Sequence, residues 1–212
     1  MFTTPRFVGL LAGFMLILAA CSSSADETSS AGGADDIETE ATSSPTDSAS
    51  PVVTIPFDEI SSNHIDPPTS FETSPAIGGD HFAFWHNCGF YTEELIEGAA
   101  VHSLEHGAIW ITYGDSLPDD EVAELEALAG VNRRLLISPY DHSEPIVMSA
   151  WGAQQRGIDS ASAPEVAAFI DAWVDNPELI EDGASCSGAV GIAPDDPLSL
   201  LDGTPVPDEF LS

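Results

Sequence analysis

The stretch AAVHSLEHGAIWITYG, Ala99 to Gly114, constrains the fold more than any other part of the chain. Its first half reads as a helix, Gly107 stops that helix in the left-handed conformation, and Ala108–Tyr113 follows at once as a short buried strand. Thr92 is the expected helix cap, with Glu93 and Glu94 in the first turn, where the positive end of the helix dipole favours acids. Downstream, SLPDDEVAELEALAG reads as a second helix closed by Gly130. RRLLISPY and PIVMSAWG read as strands of a hairpin turned by DHSE. SAPEVAAFIDAWVDN reads as a third helix, with Ser162 as cap, Pro164 in the first turn and Glu165 closing a capping box.

Helix, strand, helix, two strands, helix predicts a single α+β or mixed α/β domain, with about three to five strands covered by about three helices. With FAFW (residues 82–85) as an extra strand, the order would match a thioredoxin-like topology.

The ends obey different rules. Residues 1–20 carry one positive charge, Arg6, an apolar core too short for an ordinary span, and small residues before Cys21, the pattern of a lipoprotein signal peptide. Lipid on Cys21 would anchor the exported chain to the outer face of a cell membrane. Residues 21–54 are rich in Ser, Thr, Ala and acid and have no aromatic, which predicts a flexible, disordered spacer. The folded domain is expected over 55–190, with a loosely attached Pro- and Asp-rich tail over 191–212.

With Cys21 taken by lipid, Cys88 and Cys186 are left to close a disulfide in an oxidising compartment. The chain holds 36 acids against 4 arginines and no lysine, a net charge of −32, which excludes nucleic acid as a partner. The membrane, through Cys21, is the one partner the sequence names; no protein partner is legible.

His102, Glu105 and His106 share one side of the first helix, because residues three and four apart are neighbours there. Ile96, Ala100, Val101 and Leu104 gather on the opposite side, so the histidines need not be core residues. Two imidazoles at this spacing can take two corners of a metal's coordination sphere, with Glu105 as ligand, orienting partner or base. As H-x-x-E-H the string also matches inverzincin metallopeptidases, in which Glu105 would activate water and a later acid would complete a zinc site. The plain structural alternative is a helix end, where histidines donate to the last free carbonyls, within a non-catalytic, partner-binding module. CGFY lacks the second cysteine of a redox motif, which leaves Cys88 to a structural bridge.

DPPTS, CGFY, VHSLEHGAIWITY, ISPY and SAWG occur in an order that resembles the family called domain of unknown function 3105. Its members are bacterial cell-envelope proteins, often lipoproteins or membrane-anchored, without a settled activity. They tend to carry a histidine after the P-P-T-S block, and His81 is the match here, displaced by FETSPAIGGD. His81 is therefore the preferred third ligand beside His102, His106 and Glu105, with Asp80 placed to polarise it and His86 as its substitute. His64, His142 and Met148 are weaker candidates, Met148 reading as core. The expected cofactor is one zinc or copper ion, both of which suit imidazole.

Overall fold

The structure is a computed structural model that describes residues 49–65, 70–179, 181–187, 192–193 and 196–200. Cys21, the signal segment and most of the spacer lie outside the described residues. The compact unit they belong to runs Ser44–Ser212.

One mixed sheet organises it. In chain order its strands are β1 (Val53–Thr54), β2 (Gly89–Phe90), β3 (Ile109–Tyr113), β4 (Leu135–Pro139), β5 (Ile146–Ala150) and β6 (Ala153–Ile158). Their spatial order is β1-β6-β5-β3-β4-β2. β3 pairs in parallel with β4, and β4 with β2, while β5 runs antiparallel to both β3 and β6. The helices are α1 (Glu97–Glu105), α2 (Asp119–Val131) and α3 (Pro164–Trp173). The α+β domain with a mixed sheet and three helices is as expected, and its six strands exceed the expected number. Among the described residues, no helix is long and apolar enough to cross a membrane.

Side chains alternate across the sheet, so each strand feeds two cores. Ile109, Ile111, Leu135, Ile137, Ile146 and Met148 pack with Leu125 of α2 and Val166, Phe169 and Ile170 of α3. Trp110 and Leu136, on the other face, pack with Ala100, Val101 and Leu104 of α1. A loop segment then covers α1 from outside: Phe82 N–H donates to Gly98 O, His86 N–H to Ala99 O, and the Ser103 hydroxyl to His86 O. Residues 98–105 are consequently all buried, so the polar outer side expected for this helix does not exist.

Several expectations are corrected. The two strands read as a hairpin do not pair; β3 lies between β4 and β5. Their connection instead crosses the end of β3 at Gly114, where a Cβ would meet the carbonyl oxygens of His142 at 2.6 Å and Glu144 at 2.7 Å. The hairpin is β5–β6, around Trp151 and Gly152, and its second strand is the polar AQQRGI, which has no apolar alternation to mark it. FAFW is not a strand; the upstream strand is Gly89–Phe90, so Cys88 sits at a sheet edge.

α1 begins at Glu97 rather than Thr92, because the imidazole Nε2 of His86 accepts the Ile96 N–H at 3.0 Å and supplies the acceptor from outside the helix. α2 runs through Gly130 to Val131. α3 is preceded by Ala163, since the Ser162 hydroxyl is engaged with Ser160. Val53 and Thr54, read as spacer, pair with β6. Within the tail, β7 (Ile192–Ala193) and β8 (Asp196–Leu200) form an antiparallel pair.

Candidate metal centre

The helix end positions the site. Gly107 adopts φ +88°, its N–H donates to Leu104 O, and the Ala108 N–H donates to Ser103 O, the two bonds of a Schellman stop. The free His106 carbonyl is taken by Arg134 Nη1 at 3.0 Å, which also holds Ala184 O at 2.7 Å. Neither histidine ring serves the helix's own carbonyls. His102 Nδ1 meets Phe82 O at 2.7 Å, and His106 Nδ1 meets Ser185 O at 2.8 Å. Their structural role is thus to tie two other segments to α1, not to cap it.

His81 follows the same rule, with Nδ1 2.8 Å from Gly79 O. A carbonyl can only accept, so these contacts place a ring proton on Nδ1 and leave Nε2 of His81 and His102 as the atom that could ligate a metal, while His106 Nε2 faces Glu181. Gly79, not Asp80, orients His81. Asp80 instead accepts from the hydroxyl of Ser61 and from the Asn63 backbone and side-chain amides. Those bonds, with the Ser61 hydroxyl first, lower its pKa. They also fix the loop that carries His64, whose strand-like bridge to His81 is completed by Ile65 N–H to His81 O and His81 N–H to Asn63 O.

His64, His81, His102 and Glu105 converge, each offering one donor atom, all within 4.8 Å of one another. Three are buried and His64 is 41% exposed. His81 Nε2 is buried and lies 3.1 Å from Glu105 Oε2, an ion pair when the imidazole is protonated on that nitrogen, and otherwise without a hydrogen bond. With the ring proton on Nδ1 alone, two electron-rich atoms face each other in a desolvated place. Burial pushes the Glu105 carboxyl up, but its pairing with His81 and the charge of His81, His102 and His64 when protonated outweigh it and hold it below its ordinary value. Burial likewise drives the His102 pKa down to about 4, keeping the ring neutral.

His106 belongs to a second convergence, with His102 and Glu181. Its Nε2 lies 2.9 Å from Glu181 Oε2. This supplies a later acid for the H-x-x-E-H reading, but Glu105, its base, lies beside His81 in the other group and is not among the donors gathered there. His86 is not a ligand candidate: Nε2 is used by Ile96, and burial lowers its pKa to about 3. His142 contacts Thr112, and Met148 is fully buried in the α2–α3 core. Cys88 and Cys186 form the expected disulfide, Cα atoms 5.4 Å apart, which pins the segment bearing Glu181 and Ser185.

The structure thus brings His81, His102 and Glu105 together, sets His106 beside them in another group, and raises His64 to a full member. His64 stands just before the D-P-P-T-S block, and that position is its signal in the sequence. Glu181, one acid among 36, had none.

The sequence pattern of the family described as "Protein of unknown function (DUF3105)" matches residues 64–188. The chain belongs to this family. The match opens on His64 and encloses every residue of both convergences as well as the disulfide. No curated protein and no solved structure matches the chain.

Proposed function

We propose that this domain of the DUF3105 family binds one zinc or copper ion between His64, His81, His102 and Glu105. The observation that carries the reading is the convergence of four donors around the buried His81 Nε2, which has no hydrogen bond and lies 3.1 Å from a carboxylate oxygen. Burying a polar atom without a partner costs roughly 1–3 kcal/mol, and a cation placed between nitrogen and carboxylate removes that cost for both. Three imidazoles and one carboxylate suit a four-coordinate divalent ion, and the soft sulfur of Met148 is committed to the opposite core. A four-donor set supports holding or delivery of the ion rather than hydrolysis, which keeps a position open for water.

In this reading the domain works at the outer face of a cell membrane, tethered by lipid on Cys21 through the acidic spacer. The protein net charge of −32 supports a setting rich in cations and free of nucleic acid.

Purified protein with its disulfide intact is expected to hold, or to take up, close to one zinc or copper ion per chain by elemental analysis. His102→Ala is expected to lose it. Wild-type protein that stays empty after exposure to both ions would overturn the reading.

A further inference from the structure

We infer that His102 is a donor shared by two overlapping ion positions, so that an ion passes from one to the other without leaving this imidazole. The inference rests on the metal-binding reading above and concerns how the ion moves.

His102 is a member of both convergences, with His64, His81 and Glu105 on one side and with His106 and Glu181 on the other. Its Nδ1 is committed to Phe82 O, so only Nε2 is left to serve either group. One lone pair binds one ion. The two positions are therefore alternatives, and a single ion exchanges between them by trading the remaining ligands.

The positions differ in strength. The inner one has four donors, enough to fill a four-coordinate shell, while the outer one has three, which leaves a fourth position open. They also open to solvent through different residues. The inner position reaches water at His64, which lines a cleft of about 180 Å³ with Ile65, Phe82, Ala83 and Phe84. The outer one reaches water at Glu181, whose side chain is 40% exposed. Between them the His102 and His106 rings meet edge to face with centroids 4.5 Å apart, and Trp85 packs on both at 5.4 and 4.9 Å.

The outer position is fixed in place. Ser185 O locks the His106 ring, Arg134 holds Ala184 O, and Cys186 is bonded to Cys88. A tight inner site with a weaker neighbour sharing one ligand is the arrangement that lowers the barrier to loading and release, because the ion is never stripped of all its protein ligands at once.

The test is the rate at which zinc leaves the singly loaded full-length protein for an excess of a coloured chelator, followed by stopped flow. Wild type is compared with Glu181→Gln and His106→Gln, all checked by thermal melting. Glu181→Gln is decisive because the residue is exposed and the change conserves its shape. Both variants are expected to hold one zinc per chain at equilibrium and to release it about tenfold more slowly, the scale on which single changes around metal sites act. Release at the wild-type rate in Glu181→Gln would overturn the shared-donor route while leaving the binding reading intact. Two zinc ions bound at once per chain would also overturn it. Wild-type protein that binds no zinc or copper overturns the binding reading itself, and the route with it.

Discussion

The two faces of the sheet are built from the same strands by opposite means. Beneath α2 and α3 the strands offer Ile109, Ile111, Leu135, Ile137, Ile146 and Met148, and the helices answer with Leu125, Val166, Phe169 and Ile170. On the α1 face the same strands present Trp110, Thr112, Leu136, Ser138 and Ser149, and α1 with its covering loop buries His81, His86, Asn87, His102, Ser103, Glu105 and His106. The first face is held by apolar burial, a driving force that needs no specific partners. The second buries ionisable groups, which cost free energy unless each finds a partner. Most do so through backbone carbonyls, but His81 Nε2 and His86 Nδ1 form no hydrogen bond. The difference separates a face packed by apolar contacts from one that sets a buried polar centre beside its own apolar core.

The comparison is broken most forcefully from the apolar side. Phe169→Ala is expected to lower stability by about 3–5 kcal/mol in denaturant melts, with the ion content per chain unchanged where the variant stays folded. Loss of the ion in that folded variant would show that the faces are not independent. Replacing both Cys88 and Cys186 by Ser is expected to cost roughly 2–5 kcal/mol, the range for removing a native bridge, here one that closes a separation of 98 residues. It should also loosen the segment that locks His106, and hydrogen exchange at 181–187 would report that.

Acid sharpens the comparison. His86 takes up a proton at about 6.5 when unfolded but only at about 3 when folded, because burial disfavours its charge. The unfolded state therefore binds more protons across that window, and stability falls as pH drops below 6.5. The slope due to His86 is about 1.4 kcal/mol per pH unit. His102, lowered to about 4, adds to the loss in the same direction. His86→Gln retains an acceptor for the Ile96 N–H and is expected to flatten the melt-derived stability profile between pH 7 and 4. An unchanged profile would remove His86 from the account. The smallest effect is expected from Asp80→Asn, which weakens the hold on Ser61 and Asn63 beside His64. Zinc affinity should fall by about tenfold with one ion still bound.

Legibility in the sequence followed the range of the interactions. The three helices and the strands β3, β4 and β5 were readable because their periodicity is local, and Gly107 as a helix stop was readable because its conformation is a property of one residue. The pairing of β4 was not, since the parallel bond to β3 depends on the 140–145 connection crossing Gly114, a close approach with no local mark. The start of α1 was misplaced because its acceptor, His86, lies ten residues upstream and acts through space. In the site, His102 and Glu105 were legible from helical spacing, and His81 from its place after the P-P-T-S block. The partition of the motif, with His106 beside Glu181 and His64 in the group with His81, depends on loops fixed by Asp80 and by the disulfide, which no periodicity encodes.

The central claim, that the ion belongs to His64, His81, His102 and Glu105 rather than to the histidine pair of the helix motif, is tested most directly by equilibrium zinc titration of His81→Ala beside His106→Ala. The account predicts that His81→Ala loses stoichiometric binding while His106→Ala, folded by thermal melting, still binds one zinc. Binding that survives in His81→Ala and vanishes in His106→Ala would contradict it.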